Sequence, residues 1–294
     1  MDVDRIDKIK RLAVVAMFSD DDLMESLVLK GGNALDIVYG VAPRASLDLD
    51  FSIPTEFRPN DIGMIESKMK KALTKLFREN GYTVFDMKFG ERPEDADPKL
   101  PYFWGGYRFE FKVIESTKFE ELSGDQQALR VNAVDVGPGS QKTYRIEISK
   151  WEYCKPKRRT EMEDYTIYVY TPEMIIIEKV RAICQQMPEY AKFIGTSSRT
   201  ARARDFFDIY AAIEHFAMDL TKKENLQLLK DVFSVKQVPV NLITKIKDYR
   251  EYHRVDFVAV ESTVKRGVKL RNFDFYFDYV VDKCAVLSKA LGEV

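Results

Sequence analysis

The sequence predicts an α+β fold: an α+β half covering residues 1–170 and an α-helical half covering residues 171–294. Three observations carry it. Extended, apolar-alternating segments dominate from Tyr82 to Tyr170; Thr171-Pro172-Glu173 is a strong helix start; and the chain beyond it is mostly patterned at helical spacing. Thr serves there as N-cap, Pro fits the first helical position, and an acid in the first turn suits the helix dipole.

In order, residues 4–18 alternate charged and apolar residues as a helix does, and Ser26 to Leu29 reads as a short strand running into Gly31-Gly32. A short helix, a loop with Pro43 and a strand from Asp48 to Ile53 follow. Asn60 is placed to cap a helix through Phe77 that stops at Asn80-Gly81, since glycine commonly follows a helix end. Strands are expected at Tyr82 to Phe89, Tyr107 to Glu115, Thr143 to Ser149 and Tyr165 to Tyr170, with a turn at Gly137-Pro138-Gly139 before the third of these. The helix from Thr171 runs to about Gln186, and a second spans Thr200 to Phe216 after a polar connector. No internal repeat or low-complexity linker interrupts the pattern.

Bulk properties exclude several classes. Forty-six basic residues against 47 acidic ones leave the net charge near zero, so a polyanionic partner must be met by local patches. A hydrophobic content of 45%, with 19 Phe and 15 Tyr, marks a folded chain rather than a disordered one. No apolar run approaches the roughly 18 residues of a membrane span, and the charged N-terminus lacks a signal-peptide core, so a cytoplasmic location is expected. Cys154, Cys184 and Cys284 are too far apart for a CxxC site, and two histidines exclude a His-rich metal centre.

Carboxylates are therefore the expected chemistry. Asp48 and Asp50 stand two apart, so on an extended strand both project from one face while Leu49 and Phe51 enter the core. Paired carboxylates suit a hard cation such as Mg²⁺, which usually completes its shell with water and substrate phosphates. Gly31 and Gly32 let the backbone approach a phosphate closely. A third acid is expected for two-metal phosphoryl transfer, and Glu147 in Tyr-Arg-Ile-Glu-Ile-Ser fits best, ahead of Asp86 and Glu110. Lys179 shares a helix face with Ile175, Ala182 and Ile183; Asp205 and Asp208, one turn apart, are expected either to hold it or to pair with Arg181. Lys155, Lys157, Arg158 and Arg159, with Trp151 and Tyr153 interleaved, form a basic run that could touch RNA or simply be a solvated loop.

Four ordered motifs resemble the AbiEii/AbiGii-type nucleotidyltransferase toxins of the DNA polymerase β superfamily. They are Lys30-Gly31-Gly32-x-Ala34-Leu35, Arg44-x-Ser46-x-Asp48-x-Asp50-Phe51, Glu178-Lys179-x-x-Ala182 and Arg204-Asp205-x-x-Asp208-x-Tyr210. The resemblance implies a nucleotidyltransferase palm with a mixed sheet followed by a helical region. It implies Asp48, Asp50 and Glu147 as ligands of two Mg²⁺ ions, although many relatives carry Asp where Glu147 stands. Gly31, Gly32, Arg44, Ser46 and Lys179 would bind the NTP, and Lys179 with Asp205 or Asp208 would be the essential helical residues. It further implies transfer of a nucleoside monophosphate, plausibly to the 3′ end of tRNA, and a separately encoded antitoxin. A small-molecule or protein nucleotidyltransferase, or a noncatalytic nucleotide- or antitoxin-binding module, are the alternatives.

Overall fold

A computed structural model describes residues 3–41, 44–46, 48–94, 100–136, 140–195, 199–265 and 267–292; the expected turn at 137–139 and Pro43 lie outside them. Helix α1 (Val3–Phe18) leads to α2 (Asp21–Ser26), which Asp20 caps by accepting from the backbone N–H groups of Asp22 and Leu23. Ser26 is thus helical, and strand β1 begins two residues later than expected, at Val28–Lys30. One α-turn, α3 (Gly31–Asn33), continues as a wider π-turn over Ala34–Val38. Strand β2 is Leu49–Ser52, and α4 (Ile62–Glu79) ends at Asn80-Gly81, where Gly81 takes φ +81. The long hairpin of β3 (Tyr82–Arg92) and β4 (Gly106–Glu115) follows.

Two short helices that the pattern did not suggest, α5 (Ser116–Glu121) and α6 (Gln126–Asn132), precede β5 (Tyr144–Ser149). Then comes a strand where a solvated loop was one expectation: β6 (Arg158–Met162), paired antiparallel with β7 (Tyr165–Val169). It is an edge strand with mostly exposed polar residues, so it lacks the alternation that reveals half-buried strands. The helical half comprises α7 (Pro172–Cys184), α8 (Pro188–Ile194), α9 (Ala203–Phe216), α10 (Lys223–Ser234), α11 (Arg250–Arg254), α12 (Phe257–Glu261) and α13 (Phe273–Leu291), with a 3₁₀ stretch over Val240–Tyr249.

The seven strands form one mixed sheet in the order β3-β4-β5-β2-β1-β7-β6. β2 runs parallel to β5 and β1 parallel to β7, while the remaining neighbours are antiparallel. Register sets the site: Asp50 lies opposite Lys30 of β1 on one side and Glu147 of β5 on the other. Alternate residues Leu49, Phe51, Ile146 and Ile148 point to the other face and join a core shared by α1, α4 and α7. Among the described residues, no helix is long and apolar enough to cross a membrane.

Candidate active site

A cavity of about 670 Å³ opens where the central strands β1, β2 and β5 meet α7 and α9. Its lining holds Gly31, Gly32, Arg44, Ser46, Asp48, Asp50, Glu147, Lys179 and Asp205. Asp208 stands behind that wall, and Lys155, Lys157, Arg158 and Arg159 lie outside it on β6 and the segment before it. There Lys157 sits 3.7 Å over the Tyr168 ring and Arg158 lies over Tyr39, so Trp151 and Tyr153 are not the rings these two cations cover.

Gly31 carries φ +73, and a Cβ on it would stand 2.6 Å from Asp50 Oδ2. Both its conformation and its neighbour demand glycine. A Cβ on Gly32 would meet Ser46 Oγ at 3.1 Å. Asp48 comes one residue before β2 rather than within it; Asn33 Nδ2 donates to its backbone carbonyl at 2.5 Å, tying the first turn after β1 to the acid pair. Lys10 of α1 donates to the Ser46 carbonyl at 2.5 Å and fixes the same loop from the other side.

Asp50 lies on the cavity floor, where removal from bulk water, with Asp48 and Glu178 nearby, pushes its carboxyl up to about 7 against the pull of Lys30 and Lys179. Glu147 is also raised, first by burial, and Arg108 Nε donates to its Oε1 at 2.6 Å. Asp86 instead pairs with Arg130 and Lys112, and Glu110 with Arg145. Among the described residues, no group of three or more His, Cys, Asp or Glu side chains is arranged to hold a metal ion. Asp48 and Asp50 nonetheless fit a hard cation in chemistry: both line the cavity beside the Gly31-Gly32 turn, and all of their donors are carboxylate oxygens.

Behind this pair the helical half supplies a buried array. Lys179 Nζ lies 2.8 Å from both Asp205 Oδ1 and Asp208 Oδ2. Arg44 grips Asp208 with two parallel hydrogen bonds, Nε to Oδ1 at 2.7 Å and Nη2 to Oδ2 at 2.5 Å, and Arg202 pairs with Asp205. Burial pushes the Asp205 carboxyl up, but Arg202 and Lys179 overcome it and hold it below the usual carboxylate range. Of the two expected roles for Asp205 and Asp208, the structure therefore has them hold Lys179. Arg181 goes elsewhere, to Glu152 at 2.8 and 3.2 Å and to Glu178 at 3.2 Å.

The residues missed in the sequence complete this inner wall. Glu152, 5% exposed, meets Arg181, Lys30 at 3.8 Å and Lys236 at 3.6 Å; Lys30 Nζ also reaches Ser149 Oγ at 3.1 Å and Glu178 at 3.3 Å. Arg202, Arg204 and Asp256 line the cavity too. The presence of Lys30, Glu178 and Arg204 in the ordered motifs was the signal pointing here; Glu152 and Lys236 lie in unremarkable stretches.

His253 braces the array from behind. It is fully buried against Phe206, and its Nδ1 accepts from the Arg202 backbone N–H at 3.1 Å, which places the proton on Nε2. Burial lowers the imidazole from 6.5 to about 4. The unfolded chain thus takes up a proton between those values that the folded chain refuses. Stability from this residue is full above pH 6.5 and falls by up to about 3 kcal/mol as the pH drops to 4. His253→Asn, which keeps an acceptor but cannot titrate, is expected to flatten that part of the pH dependence of the urea midpoint; an unchanged slope would refute the assignment.

The family comparison adds to this geometry. The model for "Nucleotidyl transferase AbiEii toxin, Type IV TA system" matches residues 13–279. The chain belongs to the AbiEii family. The AbiEii match runs from within α1 to within α13 and so takes in the sheet and the helices together. Two solved Helicobacter pylori structures share the fold. One, described as a nucleotidyltransferase, aligns with TM-score 0.51 and 17% identity over 98% of this chain and 96% of that chain. The other, JHP933, aligns with TM-score 0.50 and 18% identity over 98% and 93%. No curated protein matches significantly. As an AbiEii member, the chain is a nucleotidyltransferase of a type IV toxin–antitoxin family, which implies a cognate antitoxin.

Proposed function

We propose that this enzyme transfers a nucleoside monophosphate from an NTP to a hydroxyl at the 3′ end of tRNA, in the cytoplasm and with Mg²⁺. The observation that carries the reading is the convergence, in one cavity of about 670 Å³, of the Gly31-Gly32 turn, the acids Asp48, Asp50 and Glu147, and the Lys179 array. That volume suits a nucleotide-sized ligand.

In this reading the palm, residues 1–170, presents the metal-binding acids together with Arg44, and the helical part, residues 171–294, presents Lys179 and the acids that hold it. Asp48 and Asp50 would hold the metal, with Glu147 joining them or taking the acceptor's proton. Bound there, Mg²⁺ would neutralise charge on the transferring phosphoryl group and the pyrophosphate. Gly31, Gly32, Ser46 and Arg44 would cradle the triphosphate. Lys179, its ammonium held between Asp205 and Asp208, would act as a fixed positive charge beside it. The acceptor oxygen bonds to the α-phosphorus, the α–β bridging P–O bond breaks, and pyrophosphate leaves. Lys155, Lys157, Arg158 and Arg159 would steer the body of the RNA from the β6 edge, away from the cavity.

Incubation with total RNA and each α-³²P-labelled NTP in turn tests the reading. Label is expected in the tRNA fraction with one nucleotide, only when Mg²⁺ is present. Labelling of protein or a small molecule alone would overturn the acceptor, and labelling in the presence of a chelator would overturn the metal.

A further inference from the structure

The cavity extends well past the residues used so far. Beyond Glu147 its wall is built by Arg92 and Pro93 from the end of β3 and by Trp104, Gly105, Gly106 and Tyr107 at the start of β4. The strand order separates the two ends: Gly31-Gly32 follows β1 on one side of β2, whereas β5, β4 and β3 lie on the other. An in-line displacement sets the attacking oxygen and the leaving group on opposite sides of phosphorus. If the pyrophosphate leaves on the Gly31-Gly32 side, as the function proposed above requires, the acceptor must approach over β5, β4 and β3.

We propose that Trp104 is the stacking platform for the base of the acceptor's terminal nucleotide. Its indole is half-buried in the cavity wall. Neighbouring rings are occupied with one another, Tyr102 standing edge-on to both Phe103 and Trp151, while among the described residues no ring or cation covers Trp104. Its place is set by backbone contacts on every side. Trp104 N–H donates to the Pro101 carbonyl at 2.8 Å, and a Cβ on Gly105 or Gly106 would stand 2.3 Å from the Arg92 carbonyl oxygen or 2.0 Å from that of Ile148. The buried Lys236 ammonium donates to the carbonyls of Phe103 and Lys150, each at 2.7 Å, pinning the Trp104 turn to the segment that follows β5. These contacts fix the backbone that carries the indole, so the turn itself need not be ordered when a base stacks there. Beside it Arg92 pairs with Glu94 at 2.5 Å, yet its buried Nε has no partner among the described residues, leaving a donor for an RNA phosphate or base edge.

Single-stranded RNA ends are read mainly by such stacking on aromatic faces. Trp104→Ala is expected to raise the KM for the RNA acceptor by about tenfold or more while leaving the KM for the NTP unchanged. Trp104→Phe, which keeps a ring, should recover most of the loss. Matched urea midpoints for wild type and Trp104→Ala would show that folding is not the cause. A second readout needs no turnover: a short single-stranded RNA with a free 3′ hydroxyl should quench indole fluorescence in the wild type and not in Trp104→Phe, where only Trp151 remains. Absence of that difference overturns the platform whether or not RNA is labelled. An effect of Trp104→Ala on the NTP's KM instead of the acceptor's also overturns it. Failure of the wild type to label any RNA, with the quenching intact, would sink the proposed acceptor reaction and leave the platform standing.

Discussion

Asp50→Asn is expected to lower transfer from an α-³²P NTP by at least about a thousandfold, the scale set by loss of a preorganised charge at a reacting phosphoryl group. The fold should not suffer. Burial already pushes the Asp50 carboxyl up to about 7, so a neutral amide of the same shape removes a charge that the folded chain holds at a cost. Lys30, opposite it in the register, keeps Glu178 and Glu152 as partners and is not orphaned. The urea midpoint should therefore stay level or rise. Asp48→Asn should give the same loss of transfer from a more solvated position. Retained transfer in either variant would sink the assignment of the pair, and a collapsed midpoint would show that the acid serves structure instead.

Glu152→Ala should have the largest effect on stability, destabilising the chain by about 3–5 kcal/mol. Arg181, Lys30 and Lys236 all converge on this one carboxylate, and each is buried. Burial pushes the Glu152 carboxyl up, but the three cations overcome it and hold it well below the usual range. Truncating it strands positive charge in a region water reaches poorly, whereas an exposed acid such as Glu251, paired with Arg254 on α11, is expected to cost under about 1 kcal/mol. The comparison of urea midpoints for Glu152→Ala and Glu251→Ala is decisive; equal shifts would show that the cations of the inner wall find other partners.

Periodicity made the fold broadly legible. The strands from β3 to β5 and β7, and the helices α1, α4, α7 and α9, all alternate or repeat apolar residues because one face of each enters the core. β6 did not show itself because an edge strand of Arg, Thr and Glu needs no apolar face, and α5 and α6 are too short for a helical period to register. The acid pair and the Gly-Gly turn were legible because their chemistry is local: residues two apart in an extended segment must face the same way, and a positive φ beside a carboxylate selects glycine. Glu152, Lys236 and Trp104 were not. Their importance arises from partners contributed by segments far away in the chain, as when Lys236 reaches the carbonyl of Phe103, and a single sequence carries no mark of such meetings.

The interlock of Arg44 with Asp208, and of Lys30 with Glu178 and Glu152, bears on when this protein can act during its own synthesis. The acid pair leaves the ribosome early, but the counter-charges that seat Arg44 emerge only with α9, and the lysine that pins the Trp104 turn emerges only after α10. Until then Arg44 lacks Asp208 and the Trp104 turn lacks the lysine that pins it, and until α7 emerges Lys30 lacks Glu178. A chain that stops before α9 is accordingly expected to transfer no label from an NTP, because Arg44 and Lys179 would lack Asp205 and Asp208.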